Sequence, residues 1–180
     1  TVLDAFSRIV RLGEGLSTSG KLTQGSMDRA VDALAVCADK LRRRHVTLAR
    51  SVATEALRRA VNGRDFAARV KRETGIALEI IAPQEEARLA VLGCHKLLEP
   101  GDGPALIFDI GGGSTELVLV EPGEPHPRIR AWWSAPWGVV SLTESEGREA
   151  IEGKDRVLAY ARMRERVHRS FAHFVEMLPD

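Results

Sequence analysis

Cysteine is nearly missing from this sequence: of 180 residues, only Cys37 and Cys94 are cysteines. Two cannot form a disulfide framework, and both fall in apolar helical patterns. They read as small buried hydrophobes of a reducing compartment, which points to the cytoplasm. No apolar run approaches the roughly 20 residues a membrane helix needs, so a helical membrane protein is excluded. Charge of one sign is also lacking: charged residues make up 28% of the chain but the net is +1, which excludes a generally basic nucleic-acid binder. The five histidines show no metal-ligand spacing. Trp132, Trp133 and Trp137 read as core or edge residues of a strand rather than a base-stacking platform. An initiating methionine and any targeting pattern are absent as well. Either preceding residues were removed or the numbering begins inside a longer protein.

What is present is a mixed α/β order. Residues 1–26 combine a short apolar piece with glycines and read as a strand end or irregular segment followed by a loop. Thr23 can cap a helix over 25–43, whose apolar positions fall on one face, with Arg42–Arg44 suiting its negative C-terminal end. A strand over 46–51, a short helix over 53–60 stopped by Asn62-Gly63, a helix over 64–74 stopped by Gly75 and a strand over 77–81 follow. Pro83 opens a helix over 84–98. The segment Pro100-Gly101-Asp102-Gly103-Pro104 is the strongest linker signal and divides the chain into lobes of 1–103 and 104–180. Three strands then follow, at 105–110, 115–121 and 128–135. A last helix over 154–178 carries the stripe Tyr160, Met163, Val167, Phe171, Phe174, Leu178. The fold class is α/β in two lobes, with antiparallel pairing at the start of the second.

The most informative segment runs from Leu106 to Val120. An apolar strand enters Asp109, then Gly111, Gly112 and Gly113, then Ser114 and Thr115. Three glycines permit backbone angles closed to other residues, and successive bare N–H groups form an anion-binding nest. A dinucleotide fold or a P-loop runs from its glycines into a helix. Here Thr115–Val120 is β-branched and apolar and reads as a second strand, so the glycines form the bend of a hairpin. Asp109 and Glu116 beside a bound polyanion would repel it unless a cation intervened. A hard divalent ion joining carboxylate to phosphate resolves this, and Mg²⁺ is the natural choice. A merely structural tight hairpin stays open on spacing alone.

Two further groups carry alternatives. Gln84, Glu85 and Glu86 form either an ordinary acidic first turn or a turn from which one glutamate orients a water for attack on phosphorus. Arg58 and Arg59 form either a solvated helix face or a guanidinium fork for phosphate.

Taken together these pieces resemble the exopolyphosphatase / guanosine pentaphosphate phosphatase (Ppx/GppA) family of the actin-like ATPase superfamily. The resemblance is carried in order by Phe6–Gly15, Val52–Ala60 with Asn62-Gly63, Leu78–Ile81 with Glu85–Leu89, Phe108–Leu117 and Trp137–Glu144. It implies the two-lobed actin-like (ribonuclease H-like) architecture, incomplete at both ends. The family opens with a further phosphate loop and closes with a later one, and neither lies between Thr1 and Asp180. The implied activity is hydrolysis of terminal phosphate from inorganic polyphosphate or guanosine pentaphosphate. By resemblance Glu86 is the catalytic base, Gly111–Ser114 with Thr115 the phosphate loop, Asp109 and Glu116 the acids of Mg²⁺ or another divalent cation, and Arg58 a phosphate-contacting arginine. No nucleic-acid or membrane partner is implied, and a homodimer of the full-length protein is compatible with the family. The fragment by itself is expected to be inactive, since phosphoryl transfer needs groups from both lobes. The competing readings are an ATP-dependent switch or kinase of the same superfamily and a non-catalytic domain sensing phosphorylated nucleotides.

Overall fold

The computed structural model describes residues 2–98, 103–123, 126–146 and 153–178. Packing divides the chain into two units, Thr1–Ile81 and Ala82–Asp180. The division falls ahead of the Pro/Gly segment at 100–104, most of which lies outside the described residues. It falls there because the helix opened by Pro83 buries Ala87 and Val91 with residues of the strands that follow it.

The first unit contains α1 (Leu16–Ser19), α2 (Gln24–Arg43), β1 (Ser51–Ala53), α3 (Glu55–Arg59), α4 (Gly63–Thr74) and β2 (Leu78–Ile80). The cap expected at Thr23 forms: its side chain accepts from the amide of Ser26. β1 and β2 pair in parallel, Ser51 with Leu78 through Ala53 with Ile80. The strand expected over 46–51 forms only at its end, because just 51–53 find a partner; Val46 and Leu48 remain exposed. Phe66 and Val70, one helical turn apart on α4, are almost fully buried beside Ala30, Val31 and Leu57. Burial of such side chains stabilises by about 1.5–3 kcal/mol each. Arg69 on the same helix pairs with Asp28 of α2 at 2.8 Å and with Glu73 at 2.7 Å.

The Asn62-Gly63 stop has a tertiary cause. The Asn62 side chain accepts from the Leu22 amide at 2.9 Å and donates to the Leu22 carbonyl at 3.0 Å. Gly63 lies so close to α3 that an added Cβ would overlap the Leu57 carbonyl oxygen and approach the Leu57 Cα to 3.1 Å. Gly63→Ala is expected to lower the unfolding free energy by about 1–3 kcal/mol, because backbone has to shift. Gly93→Ala, where nothing lies within 4 Å of the new Cβ, should be neutral or stabilising. Urea denaturation of the two variants checks the contrast.

The second unit contains α5 (Pro83–Cys94), a 3-10 turn at His95–Leu97, β3 (Ala105–Ile110), β4 (Thr115–Glu121), β5 (Arg128–Ala135), α6 (Val139–Glu146) and α7 (Gly153–Glu176). The three strands form an antiparallel meander in the order β3-β4-β5. Their alternation gives the sheet two faces. Ile107, Val118, Val120, Ile129 and Trp132 form a core with Ala87 and Val91 of α5. Leu117 and Ala135 point the other way and are fully buried; on that side Trp133 meets His173 of α7, ring to ring at 5.0 Å. α7 buries Ala159, Ser170 and Phe174, whereas Tyr160, expected in its apolar stripe, is 63% exposed. The inward face thus runs one residue earlier at its start than the apolar side chains suggested. Trp137 is buried but lies beyond β5, not in it. Cys37 and Cys94 are unpaired and half-buried. No helix among the described residues is long and apolar enough to cross a membrane.

Candidate functional site

Strand register brings the acids together. Asp109 stands directly opposite Glu116, and Glu116 directly opposite Ser134. All three share the sheet face that carries Ile107 and Val118, and therefore the face toward α5. Glu86 lies in the first turn of that helix, where Pro83 fixes the start and the helix dipole favours carboxylates. Glu116 is 1% exposed. Burial pushes its carboxyl above the ordinary range; the Ser134 hydroxyl, donating at 2.8 Å, opposes that, the nearby Glu86 charge adds to it, Ser114 opposes it and Asp109 adds to it. Glu86, Asp109 and Glu116 therefore form one electrostatic group inside the second unit.

Burial raises the Glu116 pKa in the folded protein above its value in the unfolded chain. The folded protein holds this proton more tightly than the unfolded chain does, so its contribution to stability is complete below the ordinary glutamate value near 4.5. That contribution is lost as pH rises through the folded-state value. Ionised Glu116 thus destabilises the fold at neutral pH. Glu116→Gln is expected to be more stable than the parent at pH 7 in chelator, with the advantage shrinking toward pH 4.5. Urea unfolding at the two pH values tests it, and a pH-independent difference contradicts it.

The glycine corner differs in cause from the sequence expectation. Neither Gly111 nor Gly112 has a left-handed φ, so unusual backbone angles are not why glycine stands at these two positions. Close approach is. The carbonyl of Gly111 accepts from the amide of Val139 at 3.0 Å, and that of Gly112 accepts from Val140 at 2.9 Å and Ser141 at 3.1 Å. The corner thereby satisfies the orphan donors at the start of α6. In a trans peptide the N–H points opposite to the C=O. Two carbonyls turned toward α6 therefore turn the amides of Gly112 and Gly113 away from it. Among the described residues no acceptor takes the amide hydrogens of Gly112, Gly113 or Ser114. The Gly111 amide, by contrast, is used in the hairpin, donating to Ser114 at 3.0 Å. The bend is expected of the sequence; its fixing by α6 is not.

The support continues outward. Gly138 packs against the corner so tightly that an added Cβ would overlap the Gly111 oxygen and lie 2.5 Å from the Gly112 carbonyl carbon and 2.6 Å from the Gly113 nitrogen. The Thr115 hydroxyl, expected among the phosphate-loop residues, donates instead to the Trp137 carbonyl at 2.9 Å and is buried. The Trp137 indole N–H donates to Ser170 of α7 at 2.7 Å. Gly138, Trp137 and Ser134 lie outside the Asp109–Glu116 motif; Trp137 and Gly138 open a segment that carries the family resemblance, but the tertiary neighbours show what the three residues do.

Arg58 belongs to the first unit. Its Nη1 donates to the Ile81 carbonyl at 2.7 Å and its Nη2 to Glu55 at 3.0 Å. Its side chain is largely buried, whereas that of Arg59 is more exposed. For a cation, no three His, Cys, Asp or Glu side chains among the described residues enclose a metal position. A hydrated Mg²⁺ takes one or two carboxylates and completes its shell with water and phosphate oxygens; Asp109 and Glu116, opposite each other in the strand register, are the carboxylates that could hold it.

An α/β chain with this meander, glycine corner and acid row has the actin-like ATPase type of fold. Residues 1–177 match the Ppx/GppA phosphatase family, and the chain belongs to that family. It is 38% identical over 143 residues to exopolyphosphatase 2 of Mycobacterium tuberculosis, covering 77% of this chain and 43% of that protein. It is 32% identical over 157 residues to a guanosine-5'-triphosphate,3'-diphosphate pyrophosphatase of Aeromonas hydrophila, covering 84% and 32%. Among solved structures it resembles an exopolyphosphatase from Cytophaga hutchinsonii with a TM-score of 0.74 and 29% identity, covering 88% of this chain and 50% of that one. The Aquifex aeolicus PPX-GPPA enzyme gives a TM-score of 0.65 at 32% identity, covering 92% and 53%. The chain thus spans less than half the length of these two curated relatives and about half of the solved neighbours.

Proposed function

We propose that in the intact protein this chain supplies the base, the metal acids and one phosphate-holding corner of a hydrolase that removes terminal phosphate from inorganic polyphosphate or guanosine pentaphosphate. The observation that carries the reading is the acid group of Glu86, Asp109 and Glu116 in the same unit as a glycine corner whose outward amides have no acceptor among the described residues. Glu86 takes a proton from water as the water oxygen attacks the terminal phosphorus; the phosphoanhydride bond breaks, and the shortened chain leaves as an anion. The amides of Gly112, Gly113 and Ser114 hold phosphate oxygens, and Asp109 with Glu116 holds the divalent ion. That ion's chemistry, when bound, is neutralisation of phosphate charge. Arg58, which lies in the first unit, is the phosphate-contacting arginine that the family resemblance implies. The names of the relatives, exopolyphosphatase and pentaphosphate pyrophosphatase, support this substrate class.

Orthophosphate release by the intact protein from polyphosphate and from guanosine pentaphosphate, with Mg²⁺, is the test. Release from at least one substrate is expected. Binding without release would replace the reading with a sensing domain. Thermal protection by ATP but not by polyphosphate would replace it with an ATP-driven switch or kinase.

A further inference from the structure

Ser134 lies outside the glycine motif, yet it closes the acid row. The face of the sheet toward α5 is apolar from Ile129 and Trp132 through Val118 and Ile107, and turns polar only at Asp109, Glu116 and Ser134, which stand side by side on three strands. The preceding β5 residue of that face, Trp132, packs in the apolar core. At 134 a hydroxyl stands opposite Glu116 and directs its one proton at Oε1, 2.8 Å away. Glutamate has several side-chain torsions. At 1% exposure, water does little to hold its carboxylate, and a fixed donor does so in its place.

We propose that Ser134 is a positioning residue of the site: by holding Oε1 of Glu116, it fixes the carboxylate in the orientation that meets a divalent cation together with Asp109. The inference rests on the function proposed above, in which those two acids hold the cation. Loss of a partner that orients a metal ligand in this way typically lowers metal affinity by about 10–100-fold. The bland role for the same serine is to satisfy a buried carboxylate and nothing more, and the two roles separate in a measurement that needs no turnover.

Mn²⁺ binding to the intact protein, read from the electron paramagnetic resonance of the free ion, is measured for the parent, Glu116→Gln, Ser134→Ala, Ser134→Thr and the Ala/Gln double variant. Ser134→Ala is expected to weaken binding by about tenfold. Ser134→Thr, which keeps the hydroxyl, should restore it to within about threefold of the parent. Adding Ser134→Ala to Glu116→Gln should change nothing further, because the group being oriented is already altered. Urea midpoints on the same samples show that each variant is folded; should Ser134→Ala unfold, Ser134→Cys, close in size and a poor donor, replaces it. Parent-like Mn²⁺ affinity in Glu116→Gln would overturn the metal assignment itself. Loss in Glu116→Gln with no loss in Ser134→Ala would overturn only the role of Ser134, as would a loss that threonine fails to rescue.

Discussion

Glu86→Gln in the intact protein is expected to lower kcat for phosphate release by about two to four orders of magnitude, the usual contribution of a general base, while KM changes little. Glutamine has nearly the same shape and keeps its place in the first turn of α5, but it cannot accept the proton of the attacking water. Glu86 raises the pKa of the buried Glu116 as a like charge, so its neutralisation relieves repulsion there while giving up a favourable interaction with the start of α5. Steady-state kinetics alongside urea denaturation separate a catalytic loss from a loss of stability. An unchanged kcat would remove Glu86 from the reaction.

Gly138→Ala should disrupt the glycine corner from behind. The new methyl group would overlap the Gly111 oxygen and lie 2.5 Å from the Gly112 carbonyl carbon. Those are backbone atoms with no rotamer to escape into, and the amides of Val139, Val140 and Ser141 tie the same peptides to α6. The expected loss of stability is about 1–3 kcal/mol or more. Phosphate affinity should fall with it, because the peptide planes of the corner are those that aim the outward amides. Val139→Ala, at a position 60% exposed, is the control and should change stability little. Denaturation midpoints together with phosphate or polyphosphate binding decide the matter; parent-like stability in Gly138→Ala would mean that the corner tolerates displacement.

The bounds of β3, β4 and β5 were legible because β-branched and apolar residues run between unmistakable breakers, and the hairpin bend at Gly111–Gly113 followed from a strand-like Thr115–Val120. α4 was legible from its stops, with Asn62-Gly63 before it and Gly75 at its end. α6 was not. Val139, Val140 and Thr143 are β-branched, and the segment has no inward stripe; it is helical because the glycine corner takes its first amides, a contact between residues some 28 positions apart in the chain. The same reason hides Gly138, whose requirement for glycine comes from a neighbour remote in sequence.

What the sequence determined by itself is local and periodic: the strands of the meander, the glycine bend, the acidic first turn after Pro83 and the family these pieces belong to. What only the tertiary structure decided is which side chains and peptides face one another. Register put Ser134 beside Glu116, the packing of α5 added the Glu86 charge to theirs, and α6 turned the corner amides outward. Hydrophobic spacing selects elements through contacts within a few residues. Strand register and burial, by contrast, are set by the energy of the whole assembled unit, and so is the charge state of a buried carboxylate.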